Sequence, residues 1–186
     1  QWYANHNGEI QPESKIPPDV LQWPDSSWKK HFIHYLIKED KYFVYPSKCS
    51  LSTNCGDSGT HHNGNRTVLQ VPLLWRAKQF KFKSFNYSEI KYDAYCELLP
   101  EIFKNNVEVL RDKNFIVDLY GTKSQLYFKS DFYLTTKRNK KALLSFGLGL
   151  KPHEINVFRG FEGGEINLVK FDDLLFGYNS TGSFRK

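Results

Sequence analysis

Methionine is absent from all 186 residues, the first position included. The opening Gln1-Trp2-Tyr3 has the texture of a chain interior, so the sequence is expected to be a piece of a longer protein. Cysteine is scarce. Cys49, Cys55 and Cys96 are an odd set whose spacings fit neither a disulfide framework nor a zinc site, and a reducing, cytoplasmic setting is the simplest expectation. No apolar run is long enough to cross a bilayer as a helix, and no signal-peptide pattern opens the chain. Acidic residues number 20 against 26 basic ones, a net charge of +6. That sign suits phosphate-bearing partners such as nucleotide diphosphates or anionic lipid headgroups, and is compatible with peripheral membrane association. Nucleic acid is not expected as a partner. The basic excess is dispersed, and its one short run, Lys137, Arg138, Lys140 and Lys141, reads as a solvated hairpin turn.

What the chain has in excess is aromatic side chains, 16% of its residues. Half-buried strands use such residues, and so do surfaces that stack sugar rings. The strand explanation is the plainer one. With 40% hydrophobic and 25% charged residues the chain can bury an ordinary core.

The pattern changes along the chain, and the expected fold class is α+β. Residues 1–66 read as a helix-and-loop segment. Pro12, Pro17, Pro18 and Pro24 punctuate a polar stretch with one helical turn near Asp19-Val20-Leu21. Ser26 or Ser27 then caps a helix through Ile37, on which Trp28, Phe32, Tyr35 and Leu36 share one face expected to pack on a core. Tyr42 to Tyr45 reads as a strand stopped by Pro46. Residues 67–186 read as a mostly antiparallel β-rich unit. Its strand candidates are 68–71, 80–83, 115–119, 132–136, 142–146, 154–158 and 165–169, with a short helix in 92–103 that Pro100 bends or ends. Gly160, Gly163 and Gly164 favour a hairpin joining the last two strands. The end of the chain, from Gly177, is expected to fray.

The chemistry concentrates in the stretch from Tyr45 to His62, where small polar residues and glycines end in a histidine pair. Gly56 and Gly59 let backbone N–H groups approach an anion closely, and a neutral imidazole binds divalent cations. By themselves such features belong more often to a surface loop. The order Ser26-Ser27-Trp28, aromatic helix, Tyr45-Pro46, Ser52-Thr53-Asn54, Gly56-Asp57-Ser58-Gly59-Thr60-His61 resembles the end of the catalytic domain in bacterial family 2 glycosyltransferases of surface polysaccharide assembly. Val117 to Lys123 and Ser145 to Glu154 also resemble their C-terminal extension.

The resemblance implies a GT-A type fold for the intact enzyme, and residues 1–66 as the tail of its catalytic domain. It implies an inverting transfer from a nucleotide-sugar donor to a polysaccharide or glycolipid acceptor, assisted by a divalent metal, Mg or Mn. His61 is then the metal ligand, and Gly56, Asp57, Gly59 and Thr60 the loop against the donor diphosphate. The chain departs from the family in showing no Asp-x-Asp site at a strand end. Glu39-Asp40 lies after the aromatic helix, where a solvated turn is the better account, whereas the family's base comes before it. The donor half and the base are therefore expected to be missing, and the isolated chain to be inactive.

Other candidates have plain explanations beside them. Asp118 suits a strand-ending turn. His153-Glu154 suits a local hydrogen-bonding pair, and His31 with His34 a surface or packing role. Trp2, Tyr3, Trp23 and Trp28 either anchor the helical segment or line an acceptor groove; Trp23 and Trp28 are the residues assigned to that wall. The alternative to a transferase fragment is a non-catalytic carbohydrate-binding or assembly module.

Overall fold

A computed structural model describes residues 15–44, 76–77, 79, 81, 84–124, 128–139 and 141–174. Its contacts divide the chain into two compact units, Gln1–Lys41 with Ser88–Lys186, and Tyr42–Tyr87. The fold is mixed α+β. Strand candidates 68–71 and 80–83, and the expected boundary at 66/67, lie wholly or largely outside the described residues.

The larger unit is built on a four-stranded sheet. Strands β1 (Phe115–Asp118), β2 (Phe132–Thr135), β3 (Leu144–Phe146) and β4 (Ile166–Lys170) lie in the order β1-β2-β4-β3. Four of the five strands expected after residue 110 therefore form. β1 pairs with β2 in parallel, Phe115 opposite Phe132. β4 pairs antiparallel with both β2 and β3, placing Leu168 beside Leu134 and Leu144. A parallel pair needs a crossover of about a dozen residues, and 119–131 provides it.

Alternation along the strands sorts side chains to two faces. On one face Phe115, Val117, Leu134, Ile166, Leu168 and Phe146 form the main core. Phe103, from helix α3 (Pro100–Asn106), and Val157, from helix α4 (Glu154–Phe158), join it. Phe103 stacks on Phe158 at 4.9 Å. On the opposite face Tyr133 and Val169 pack with Leu174 and Phe128, the last carried there by the crossover.

Two sequence expectations fail for identifiable reasons. The stretch 154–158 is helix α4 and not a strand. Gly160 sits at φ +58, where its N–H bonds the Val157 carbonyl and the Phe161 N–H bonds Asn156. These bonds are a Schellman helix stop, which glycine favours, so Gly160 ends a helix where a hairpin was expected, and β4 finds its partners in β2 and β3. Asn156 reinforces the turn before α4, its side chain bonding the Leu150 N–H and the Leu150 and His153 carbonyls. Pro100, in turn, opens α3 and does not end it; proline suits the first helical position, which needs no N–H. Ahead of α3, Tyr92 and Leu98 form an antiparallel bridge in place of helix.

The N-terminal segment carries α1 (Pro18–Leu21) and α2 (Trp28–Lys38). Ile16 and Val20 are buried, and the Tyr95 hydroxyl donates to the Ile16 carbonyl at 3.0 Å, which fastens the segment to the sheet unit. α2 starts after Ser27, whose side chain makes no cap bond. Its burial departs in part from the expectation, since Tyr35 and Leu36 of the apolar face are only half-buried. Lys30 and His34 are buried, whereas Trp28 is 68% and Phe32 36% exposed. The Lys30 ammonium is satisfied by the Trp23 carbonyl at 2.9 Å and by Asp25 at 2.8 Å, which also holds the Asp25 carboxyl below its usual range. The aromatic face expected to pack on a core is thus exposed at Trp28 and half-buried at Tyr35 and Leu36, with Trp28, Phe32 and Tyr35 in successive ring contact along it.

In the smaller unit the described residues include a short 3-10 turn, Phe85–Tyr87, and the ring contact of Tyr42 with Phe85 at 4.9 Å. Tyr42 to Val44 form no strand.

Leu168 is fully buried at the centre of the sheet. Leu168→Ala should therefore lose about 2–5 kcal/mol of stability. Leu148→Ala, at a position 37% exposed, should stay within about 0.5 kcal/mol. Urea unfolding of the two variants measures the contrast.

Candidate functional site

The loop that sequence reasoning singled out, with Gly56, Asp57, Gly59, Thr60, His61 and His62, lies outside the described residues. Trp23 and Trp28 are described and outward-facing, 37% and 68% exposed. Among the described residues no group of three or more His, Cys, Asp or Glu side chains could hold a metal ion. Nor is any helix among them long and apolar enough to cross a membrane.

What the structure does bring together is a group of ionisable side chains at the C-terminal end of β1. Asp118 closes the strand fully buried. Its Oδ1 accepts the Lys123 backbone N–H at 3.0 Å, which defines the turn through Tyr120 and Gly121. Gly121, at φ +69, supplies the left-handed residue that turn requires. The chain then returns the Lys123 side chain beneath the strand. Its ammonium donates to the Val117 carbonyl at 2.6 Å, pairs with Asp93 and lies near the rings of Tyr95 and Phe128. Lys137, just beyond β2, places its ammonium 3.1 Å from Asp118 Oδ2. The direction does not suit a hydrogen bond, and that oxygen accepts none among the described residues.

The loop 92–98 supplies the other wall. Asp93 Oδ1 accepts the N–H groups of Tyr95 and Glu97 at 2.8 and 3.1 Å, an Asx-type turn. Cys96 sits at φ +59 within it. Glu97 is buried and accepts the Tyr120 N–H at 2.8 Å. Burial raises its pKa to about 7, against the opposing pull of the Tyr120 N–H and Lys123. Partial burial, then the charges of Asp93 and Glu97, push the Cys96 thiol upward. It is therefore a weak nucleophile at neutral pH.

α4 approaches the same turn from the other side. The His153 ring stacks on Tyr120 with centroids 4.5 Å apart and planes 17° from parallel. His153 Nδ1 lies 3.1 Å from the Leu119 carbonyl. A carbonyl only accepts, so Nδ1 carries the proton and donates. Glu154 is buried and receives the Tyr92 hydroxyl at 3.4 Å. His153 and Glu154 thus each bond another element and do not pair with each other. Of the other described histidines, His34 is buried, and His31 Nε2 lies 2.7 Å from the Asp25 carbonyl.

Of these residues the sequence pointed to Asp118, His153 and Glu154, and missed Asp93, Glu97 and Lys123. The available signal was an acidic residue inside the apolar run Tyr95-Cys96-Glu97-Leu98-Leu99. A charge in such a place is either partnered or shifted.

The chain matches no known family model, no curated protein and no solved structure.

A buried carboxyl with a raised pKa favours the fold while it is protonated. Its contribution is complete below about pH 4.5, where the carboxyl is protonated folded or unfolded, and is lost as pH rises through about 7. Glu97→Gln keeps an acceptor for the Tyr120 N–H and carries no charge. The variant should gain on the order of 1–3 kcal/mol over the parent at pH 8, with the gain shrinking as pH falls and vanishing below about pH 4. Thermal unfolding of both proteins across that range checks the sign.

Proposed function

We propose that the chain is the C-terminal part of a metal-dependent inverting glycosyltransferase, which moves a sugar from a nucleotide-sugar donor to a polysaccharide or glycolipid acceptor. Residues 1–66 are the tail of the catalytic domain and residues 67–186 an accessory unit. One observation carries the proposal: an aromatic helix, opened by Ser26-Ser27-Trp28, that is followed by the glycine-rich loop ending in Gly59-Thr60-His61. The orientation of α2 supports it. A helix that buries Lys30 and His34 while exposing Trp28 beside an exposed Trp23 is suited to an apolar or sugar-bearing neighbour.

In this proposal Trp23 and Trp28 form part of the acceptor wall, where aromatic faces stack on the C–H faces of sugar rings. The backbone N–H groups of Gly56 to Thr60 face the donor diphosphate, and His61 is the chain's ligand for Mg2+ or Mn2+. Such a cation would stabilise charge on the departing diphosphate. The base and the remaining ligands belong to the part of the enzyme not contained in these residues. His62 is given no ligand role in this proposal.

The 186-residue chain alone should show no nucleotide-sugar turnover. In the longer enzyme, His61→Ala should raise the metal concentration needed for half-maximal transfer by about 10–100-fold or more, and His62→Ala should change it little. Transfer rate against metal concentration decides. A wild-type profile for His61→Ala removes the ligand assignment, and a shifted profile for His62→Ala alone moves it by one residue.

A further inference from the structure

We propose that Tyr92, Tyr120, His153 and Glu154 form a binding subsite for a neutral pyranose ring of a glycan. The class of ligand rests on the glycan acceptor proposed above; the arrangement itself is independent of it. Tyr92 and Tyr120 are among the exposed aromatic residues of the sheet unit, 46% and 44% accessible. They lie beside Glu154, a residue only 7% exposed. Exposed tyrosines are common. Here both interact with the same largely buried glutamate, Tyr92 by direct contact and Tyr120 through its charge.

Among the described residues Glu154 accepts one hydrogen bond, from the Tyr92 hydroxyl at 3.4 Å. That is beyond the usual O–H···O range of about 2.5–3.0 Å. The group therefore has capacity for a better donor, and a buried carboxylate gains from each one. Sugar hydroxyls are such donors, and they also accept. Both phenols are held above their ordinary pKa, by burial first and then by the negative charge of Glu154. They remain protonated at neutral pH, Tyr92 with its hydrogen directed at Glu154.

Tyr120 is held in place from two sides. Its backbone N–H is bound by Glu97, and one ring face is covered by His153. The His153 ring is itself fixed by its Nδ1–H bond to the Leu119 carbonyl, which makes Nε2 of the neutral ring an acceptor. A stacking platform of this kind loses little side-chain entropy on binding. The Glu154 carboxylate disfavours an anion. An organic cation is attracted by the same groups, but cations are held best by several aromatic faces at once. Tyr120 has already committed one of its two faces to His153, so a flat ring with hydroxyls on its edge is the better fit.

The test is an NMR titration of the 186-residue chain with maltotriose and with tri-N-acetylchitotriose, without metal or nucleotide. One or both should shift the backbone signals of Tyr92, Tyr120, Gly121, His153 and Glu154, with affinity on the order of millimolar. Tyr120→Ala should weaken binding about 10-fold or more, one decade being the smallest loss taken as support. Glu154→Gln, which keeps the shape, should weaken it as well. Tyr87→Ala, at a tyrosine 74% exposed in the other unit, should not. Silence with both sugars overturns the subsite, as does wild-type binding by both Tyr120→Ala and Glu154→Gln. Shifts produced by tetramethylammonium and not by either sugar replace the saccharide with a cation and also overturn it. No transfer is measured, so the outcome stands apart from that of the His61 variants.

Discussion

The ammonium of Lys123 is the point on which the end of the sheet depends. It takes its partners from two places, the Val117 carbonyl on β1 and Asp93 in the loop before α3. Its own backbone N–H holds Asp118. A lysine this deeply buried persists only when its charge is matched and its hydrogens are used. The turn after β1, the loop 92–98 and the start of the crossover are therefore set together. Tyr120, raised on that turn, owes its position to the same charge, and so does Glu97, which bonds the Tyr120 N–H from below. Removing the ammonium would take from Asp93 its ion-pair partner and from the neighbouring Glu97 a stabilising charge, while Asp118 would keep the Lys123 backbone N–H and Lys137. That explains why a cluster of acids can sit inside an otherwise apolar end of a sheet.

Much of the sheet was legible in the sequence, because β1, β2 and β4 carry dense apolar residues between turn signals. Phe115-Ile116-Val117 and Ile166-Asn167-Leu168-Val169 are of this kind. The parallel pairing of β1 with β2 was not legible, since it depends on a crossover whose length resembles an ordinary loop. The segment 154–158 misled because Ile155, Val157 and Phe158 suit a strand as well as a helix. The choice was made by Asn156 and Gly160, through hydrogen bonds to residues several positions away. α2 misled in another way. Its apolar periodicity was real, but the face it buries carries Lys30 and His34, with Lys30 bonded to the Trp23 carbonyl and Asp25, and periodicity does not register such partners.

The candidate site was less legible than the fold. The loop around His61 carried a resemblance, and its residues fall outside those described. The group around β1 was visible only in fragments, Asp118 as a turn residue and His153-Glu154 as a local pair. Their convergence depends on α4 and the 92–98 loop approaching the same strand end from positions about sixty residues apart, as the Tyr92–Glu154 contact does. Sequence spacing holds no trace of that. A raised carboxyl such as Glu97 is likewise a property of enclosure, and enclosure is supplied by residues remote in the chain.

The strand order has a kinetic consequence. β4 lies between β2 and β3, yet it follows both in the chain. On a ribosome, β1 and β2 emerge able to pair, and β3 emerges with no ladder partner until residue 166 and beyond have cleared the exit. Until then β2 and β3 each present an unpaired edge, with Leu134, Leu144 and Phe146 uncovered. Nascent chains are prone to mispairing in that condition. The ladder is complete only once β4, a single five-residue strand, lies between the edges of β2 and β3.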